Sequence, residues 1–491
     1  MDIDQFNLVL VAVSLVVIVA VAAVRVSTRA GLPTLLIYLA LGLFLGEAGL
    51  GLEFDDAALA QLLGLGLLAI ILAEGGLTTR WLDIKPVLGP ALVLATFGVA
   101  VSIAVTAGIA YWLLDVNLQT ALLLGAVVSS TDAAAVFAVM RRLPVKQRLK
   151  ATLEAESGFN DAPVVIIVAL LVSDAWEETN VWAAGGQMLY QLIVGAALGF
   201  AIAWLGELVL RRATLPSSGL YPIATIAIAI LAFGTAGVIG ASSFMAVYIT
   251  ALHLGNAKLP HAGQTRGFAE GLAWLAQIAL FVLLGLLASP ARLVDAIIPA
   301  LIIGTGLLLV ARPLSVLVSV LPFRTPWRDQ AFLSWAGLRG AVPIVLATIP
   351  INAGLPAATQ IFDIVFVLVV IFTLIQAPVL PWLARRLRVD HVDTEPVPDD
   401  ESKLSVIEFQ LPSELSIETG IQELGLPTKT VVAAIHRGGR TFVPDASTVL
   451  QARDRLVIVV PKRSLAGVEK CLQEMVGGHI RAEKPHSDPE A

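Results

Sequence analysis

The sequence predicts an all-α polytopic membrane protein that is followed by a small α/β domain. Of its 491 residues, 57% are hydrophobic and only 14% are charged, whereas soluble domains carry about 25% charged residues. The charge is also uneven: residues 1–390 hold 21 Lys or Arg and 22 Asp or Glu, and the last 101 residues hold 11 and 16. This composition excludes a soluble enzyme, a disordered protein and a secreted disulfide scaffold.

Thirteen mostly apolar runs are predicted to cross the membrane, since a crossing helix needs about 20 such residues. The eighth and ninth runs meet around Gly240, so twelve spans are the alternative. The runs lie near residues 7–24, 32–52, 59–78, 87–113, 118–140, 153–173, 186–210, 221–239, 242–257, 269–289, 295–321, 329–350 and 359–384.

The basic residues predict the orientation, because Lys and Arg collect in cytoplasmic loops. With thirteen spans and the amino terminus outside, eighteen of them fall in cytoplasmic loops, and one, Arg292, falls outside. Two more, Arg312 and Arg339, lie within spans. Merging two spans would destroy this asymmetry, so we expect thirteen spans in the cell (inner) membrane. The leader of the first run is acidic (Asp2, Asp4), which favours a span over a signal peptide.

The domain plan follows from the change in composition. We expect a transmembrane domain at 1–388, an acidic and proline-bearing linker at 389–402, a cytoplasmic α/β domain at 403–478 and a flexible tail at 479–491. Short β-branched runs and intervening helical stretches define the α/β domain. The strands are expected at Val406–Leu411, Thr430–His436, Arg440–Val443 and Arg455–Val460, and the helices at 417–425 and 463–475.

Four ionisable residues lie at middle depth in the predicted spans: Asp132, Glu156, Asp161 and Arg339. A charge inside a bilayer costs several kcal/mol unless it faces a cavity or a partner, so these four predict a polar centre. The alternative is a purely structural network of buried salt bridges. Other acids lie near span ends and are expected at the interface, namely Glu47, Glu74, Glu207, Glu270, Asp329 and Asp363.

The spacing of polar groups in the sixth run points to a cation site. Ser157 and Asp161 are four residues apart on one helix face, and Glu156 and Asn160 are four apart on an adjoining face. Carboxylate, hydroxyl and amide oxygens are the ligands that small hard cations prefer.

The twelfth run is expected to break at Gly337, Gly340 and Pro343, which creates half-helix ends with partial charges. Asp132 and Arg339 have the signs needed to compensate such ends. No phosphate-binding loop, zinc cluster or haem motif is present in the sequence, so we expect no cofactor. The net charge of −6 gives no reason to expect a nucleic acid polymer as a partner.

Three segments resemble the signature motifs of NhaP-type monovalent cation:proton antiporters. They are Ser130-Thr-Asp-Ala-Ala-Ala-Val-Phe137, Glu154-Ala-Glu-Ser-Gly-Phe-Asn-Asp161 and Gly337-Leu-Arg-Gly-Ala-Val-Pro-Ile344. The first is similar to the potassium/proton branch of that family, in which the commoner Thr-Asp-Pro is replaced; Ala133 therefore removes a proline that would help to unwind the fifth helix. The resemblance covers about residues 1–388 and implies inverted repeats whose fifth and twelfth helices are interrupted and cross near the midplane.

The resemblance also implies roles for the matching residues. Asp161 would bind either the cation or the proton, and the residues lining the monovalent cation site with it would be Thr131, Asp132 and Ser157. Glu156 would pair with Arg339. Asn160 would occupy the place where electrogenic relatives have a second aspartate. A homodimer is implied by the family as well.

The C-terminal domain resembles the regulatory modules of potassium-transport regulators (TrkA C-terminal or RCK C-terminal type), which bind small ligands such as nucleotides. The match rests on segments such as Leu424-Gly-Leu-Pro427 and Phe442-Val-Pro-Asp445. A folded cap without a ligand is the alternative.

The leading hypothesis is thus a secondary antiporter, not an enzyme, that exchanges K⁺ or Na⁺ for H⁺ electroneutrally. A ligand-gated channel is disfavoured because the sequence has no Thr-Val-Gly-Tyr-Gly filter. An intramembrane enzyme with Asp132 and Asp161 as acid and base is disfavoured because no Gly-x-Gly-Asp-like element accompanies them. The residues leave the choice between K⁺ and Na⁺ open, whereas the branch resemblance favours K⁺.

Overall fold

In the computed structural model the chain divides into two units, Met1–Asp393 and Thr394–Ala491. The division falls within the segment 389–402 that the composition marks as a linker. The structure describes residues 3–30, 33–52, 54–132, 145–176, 180–390, 404–411, 421, 426, 430–438, 440–445, 448–461 and 467–468.

Helices make up nearly all of the described part of the first unit, as the apolar composition predicts. They are α1 (Ile3–Ala30), α2 (Thr34–Leu45), α3 (Ala57–Thr78), α4 (Trp81–Ile84), α5 (Leu88–Val93), α6 (Val99–Leu113), α7 (Leu118–Ser129), α8 (Gln147–Val172), α9 (Val181–Arg212), α10 (Leu220–Val238), α11 (Ser243–Asn256), α12 (Ala262–Leu287), α13 (Pro290–Gly306), α14 (Arg312–Val320), α15 (Trp327–Ala336), α16 (Ala341–Leu346), α17 (Thr348–Asn352) and α18 (Ala358–Leu387).

Each of the thirteen apolar runs contains helix. Within the described residues, eight helical stretches are long and apolar enough to cross a membrane, and the bent pair Trp327–Ala336 with Ala341–Asn352 is a ninth if it forms one span. The protein is therefore a multi-pass membrane protein, while the number of thirteen spans stays a prediction. The eighth and ninth runs are separate helices, because the chain turns between α10 and α11 at Gly240, which has a φ of +68°.

Two helical segments end abruptly inside the unit. α7 ends at Ser129, and Ser130 continues in an extended conformation. α15 ends at Ala336 and α16 begins at Ala341, with a bend of 50° between them. The second interruption confirms the predicted break at Gly337 and Gly340, whereas Pro343 lies within α16 and does not interrupt it. Residues 133–144, which include Ala133 and the end of the fifth run (118–140), lie outside the described residues.

Helix α8 is the most buried of the long helices, with 67% of its apolar stretch inside the unit. It packs against α5, α7, α11 and α15. At Gly158 it allows a close approach of α11, since an added Cβ would lie 2.7 Å from the hydroxyl of Tyr248. A continuous apolar core therefore surrounds the helix that carries two of the four mid-depth ionisable residues, Glu156 and Asp161, together with Asn160.

The second unit contains a four-stranded antiparallel sheet in the order β1-β4-β2-β3. The strands confirm the four predicted β-branched runs to within two residues. Their bounds are β1 Leu404–Gln410, β2 Val431–Arg437, β3 Arg440–Phe442 and β4 Arg455–Pro461. Most of the two helical stretches predicted at 417–425 and 463–475 lies outside the described residues.

One ion pair ties this sheet together. Arg437 on β2 donates to both oxygens of the buried Asp454 at 2.8 and 2.6 Å. Burial alone would raise the pKa of Asp454, but the hydrogen bonds from Arg437 and from the N–H of Gln451 hold that pKa below its usual value. Asp454 is therefore charged and satisfied within the described part of the sheet.

Candidate functional site

The polar residues predicted at middle depth meet where α8 passes the two interrupted segments. Asp132 and Thr131 follow the end of α7, Arg339 lies in the break between α15 and α16, and the remainder lie on α8. All of them are at least 96% buried. The structure thus brings the seven predicted site residues into one region, and they are Thr131, Asp132, Glu156, Ser157, Asn160, Asp161 and Arg339.

Asp161 has a sparse polar environment. The hydroxyl of Ser130 donates to its Oδ1 at 2.6 Å. No other hydrogen bond or ion pair to this carboxylate occurs within the described ranges. Asp132 lies close enough for its charge to act on Asp161. A buried carboxylate with one neutral donor and a neighbouring acid is poorly compensated, so it favours a cation or a proton as its partner.

Three further side chains of the region, Thr131, Ser157 and Asn160, are linked to one another by hydrogen bonds. The hydroxyls of Thr131 and Ser157 are 2.9 Å apart, and the Asn160 amide donates to Thr131 Oγ1 at 2.5 Å. The Oδ1 of Asn160 is buried and has no hydrogen-bond partner among the described residues. The i,i+4 spacing predicted for Ser157 and Asp161 holds because both lie within the regular helix α8.

Asp132 joins the two interrupted segments. Its backbone N–H donates to the carbonyl of Leu338 at 3.1 Å, and its Oδ2 accepts from the N–H of Ala341 at 2.7 Å. Ala341 is the first residue of α16, so the carboxylate compensates the positive end of a half-helix, as predicted. Gly340 is needed for this contact, since a Cβ there would overlap the Asp132 carboxylate.

The predicted partner of Glu156 is wrong. Glu156 forms a bidentate ion pair with Arg312 of α14, at 2.5 Å from Nη1 to Oε1 and 2.8 Å from Nη2 to Oε2. Arg312 Nη2 also lies 3.4 Å from the carbonyl of Leu333, in the last turn of α15. Gly337 makes room for this guanidinium, because a Cβ there would lie 2.7 Å from Arg312 Nε. Two parallel N–H···O bonds match the planar guanidinium to a carboxylate, so Arg312 takes the partner assigned to Arg339.

Arg339 has a different environment. Its carbonyl accepts from the Thr373 hydroxyl at 2.8 Å, whereas its Nη1 has no hydrogen-bond partner among the described residues. We predicted that Arg339 would compensate the negative end of a half-helix. In the structure Arg312 does so, because it contacts the last turn of α15. The reason is geometric: Arg339 sits in non-helical backbone, where periodicity does not set the direction of a side chain.

The structure adds two residues that the sequence interpretation did not include in the site, Ser130 and Arg312. Ser130 precedes Thr131 within the first signature segment, so a hydroxyl count over that whole segment could have found it. Arg312 had one signal, namely a basic residue within a predicted span.

Three of the acids expected at the membrane interface are in fact buried: Glu74, Asp329 and Asp363. Lys146 pairs with Asp329 at 3.2 Å, and Arg292 pairs with Asp363 at 3.1 Å. Partners far away in the sequence satisfy these two carboxylates, which is why proximity to a span end did not predict their exposure.

Comparison with known proteins identifies the two parts of the chain. The sequence profile of the family "Sodium/hydrogen exchanger, transmembrane" matches residues 15–386. That of the "TrkA-C domain" matches residues 409–472.

Full-length relatives agree with these matches. The chain is 36% identical over 491 residues to the K(+)/H(+) antiporter NhaP2 of Shewanella oneidensis, covering 96% of this chain and 85% of the relative. It is 35% identical over 469 residues to the K(+)/H(+) antiporter NhaP of Alkalimonas amylolytica, covering 93% and 82%. It is 30% identical over 370 residues to the Na(+)/H(+) antiporter ApNhaP of Aphanothece halophytica, covering 68% and 66%.

A solved structure shows the same fold. The sodium proton antiporter MjNhaP1 from Methanocaldococcus jannaschii superposes with a TM-score of 0.67 at 21% identity, over 78% of this chain and 99% of that chain. The family profile extends from the first span to the end of α18, and it includes every residue of the polar region around Asp161. The chain belongs to the transmembrane sodium/hydrogen exchanger family.

Proposed function

We propose that this protein exchanges K⁺ for H⁺ across the cell membrane, one for one, and that Asp161 binds the two ions alternately. The observation that carries the proposal is the difference among the three buried acids of the site. Glu156 is held by a guanidinium and Asp132 by the start of α16, whereas a single hydroxyl donates to Asp161.

The groups around Asp161 suit a monovalent cation. The carboxylate would supply the negative charge, and the hydroxyls of Thr131 and Ser157 would supply neutral oxygens. The free Oδ1 of Asn160 is a further oxygen at the same place. Asp132 would act mainly by position and charge, since the first turn of α16 already uses one of its oxygens.

Counting the groups that can change charge supports electroneutral exchange. Glu156 is already bound bidentately by Arg312, and Asn160 cannot titrate. Asp132 is needed as a fixed charge at the helix end. One proton on Asp161 is therefore replaced by one cation, and no net charge crosses the membrane in a cycle.

The choice of K⁺ rests on the relatives. The two that match over more than nine tenths of this chain are named as K⁺/H⁺ antiporters. Na⁺ is the second candidate, because the relative from Aphanothece halophytica and the solved archaeal structure are named as sodium antiporters. Fluorescence dequenching in proteoliposomes, with K⁺ and Na⁺ added separately at several pH values, distinguishes the two ions.

Stoichiometry is tested by the null point of exchange. We expect opposing K⁺ and pH gradients to balance at the same ratio whatever voltage is clamped with an ionophore for an untransported ion. If a full charge moved, 100 mV would contribute about 2.3 kcal/mol and would displace the null point roughly fiftyfold. A null point that moves with voltage would show that a second group titrates.

The C-terminal unit is proposed to lie in the cytoplasm, with the amino terminus outside, and to regulate transport by binding a small ligand such as a nucleotide. A homodimer is proposed as the assembly.

Deleting residues 403–491 should leave a folded transporter with an altered response to pH or ligand, because the site residues all lie upstream. Loss of all transport by a well-folded deletion variant would contradict a purely regulatory role; exchange at several pH values, with and without ATP, is the measurement.

A further inference from the structure

A cavity lies next to the polar region, at the helix break that carries Arg339. It is bounded by the end of α13, the start of α14, the break at 337–340 and the middle of α18, and it has room for about one water-sized molecule or ion. Three leucines and Phe372 form the apolar part of its wall, and Gln376 adds a polar side chain. The charged groups that line it are Arg312 and Arg339.

Both guanidiniums present an unused donor. The Nε of Arg312 and the Nη1 of Arg339 are buried and have no hydrogen-bond partner among the described residues. The two side chains are themselves 96% and 97% buried. Gly337 also lines the cavity, and Arg312 Nε is the atom nearest to the Cβ that an alanine would carry there. An unpaired N–H in a dry environment costs free energy, so an acceptor is expected between these donors.

The charge balance favours an anion over a neutral acceptor. Arg312 and Arg339 are close enough to repel each other. Glu156 lies near both and is already bound bidentately by Arg312, and one oxygen of Asp132 already accepts from the N–H of Ala341. The described cavity wall contains no Asp or Glu. A cation is excluded by the two like charges, and a large organic acid by the apolar and narrow walls.

We propose that this cavity binds one small inorganic anion, of which chloride is the common example, between Arg312 Nε and Arg339 Nη1. The anion would neutralise the second guanidinium and link α14 to the helix break. It would be a resident ligand that is not exchanged with the substrate cation. The proposal does not depend on which cation is transported, and its test does not use exchange activity.

The direct test is a bromide derivative of the full-length protein. Crystals grown with bromide in place of chloride should give an anomalous difference peak in the cavity, within hydrogen-bond distance of both guanidiniums. An anomalous map without that peak, or one in which the cavity density is explained by ordered water, overturns the proposal.

A solution test uses the thermal unfolding of the purified protein in potassium gluconate. Replacing gluconate by chloride at fixed K⁺ concentration and pH should raise Tm in a saturable manner, because a ligand that binds only the folded state stabilises it. Gly337→Ala keeps every charge but places a methyl group against Arg312 Nε, so it should abolish the chloride response. Gly108→Ala is the matched control, since a Cβ there meets nothing within 4 Å. An equal chloride response in Gly337→Ala and the wild type contradicts the assigned position.

Discussion

Two faces of helix α8 carry carboxylates five residues apart, and the two differ in how their negative charge is compensated. Glu156 has both oxygens bound by one guanidinium, at 2.5 and 2.8 Å. Asp161 receives one hydroxyl hydrogen bond at 2.6 Å. Both residues are buried, with 1% of Glu156 and 4% of Asp161 exposed. The difference therefore lies in compensation: the acid on the first face is fixed by its partner, and the acid on the second remains able to change partners.

The interrupted segments explain why the two faces differ. The chain leaves α7 at Ser129, and Ser130 continues in an extended form and donates its hydroxyl to Asp161. At the break after α15, Gly337 makes room for the Arg312 guanidinium that binds Glu156. Asp132 connects the two segments through Leu338 and Ala341. A fixed pair on one face and a sparsely compensated acid on the other is the arrangement on which the proposed exchange at Asp161 depends.

The largest expected effect follows from replacing the exchangeable acid. Asp161→Asn should reduce cation:proton exchange to less than about a tenth of the wild type, because an amide cannot carry a titratable proton. The fold should persist, since the amide can still accept from Ser130. Exchange is measured by dequenching in proteoliposomes, and folding by size-exclusion profile and thermal unfolding.

Glu47→Gln is the matched control for Asp161→Asn, because Glu47 is an exposed carboxylate in the same unit. It should leave exchange unchanged. Substantial exchange in Asp161→Asn would show that the two faces do not differ in the proposed way.

The second effect is on stability. Arg312→Ala should lower the free energy of unfolding by about 3–5 kcal/mol, because it leaves Glu156 as an unpaired buried charge. Arg339→Ala should cost less, since no carboxylate hydrogen-bonds to its guanidinium in the described part of the chain. Thermal unfolding of the two variants in detergent ranks these costs.

The double variant Arg312→Gln with Glu156→Gln provides the control for this ranking. It should recover part of the loss, because both charges are removed together. A greater loss in Arg339→Ala than in Arg312→Ala would restore the pairing of Glu156 with Arg339 that the resemblance implied.

The sequence could predict features that depend on local periodicity. The positions of the apolar helices, the break at Gly337 and Gly340, the shared face of Ser157 and Asp161 and the four strands of the second unit are all of this kind. The contact of Asp132 with the start of α16 was also within reach, because opposite partial charges at a helix end identify such a pair.

The sequence could not predict contacts that depend on where a single side chain points when the two residues are far apart in the chain. Glu156 and Arg312 are 156 residues apart, and Arg339 stands closer to the signature glycines. Only the packed arrangement shows that α14 brings its first residue to Glu156. Arg339, in the break at 337–340, makes no hydrogen bond to Glu156 in the described part of the chain. For the same reason, the burial of Asp329 and Asp363 could not be inferred from their nearness to span ends.

The smallest expected effect sharpens the description of the Asp161 face. Ser130→Ala removes the one hydrogen bond that Asp161 receives among the described residues, but it removes no charge. A hydrogen bond to a charged group contributes about 1.5–3 kcal/mol, and part of that is regained because Thr131 and Ser157 remain. We therefore expect the apparent KM for the cation to rise severalfold while the maximal rate stays within severalfold of the wild type.

Ser129→Ala is the neighbouring control, since its hydroxyl donates to Ser102 and to the Gly125 carbonyl rather than to Asp161. Titrating K⁺ at fixed pH in proteoliposomes separates KM from rate. A fall in maximal rate as large as that of Asp161→Asn would mean that Ser130 takes part in the proton transfer itself, and the contrast between one fixed and one exchangeable acid would then have to include this hydroxyl.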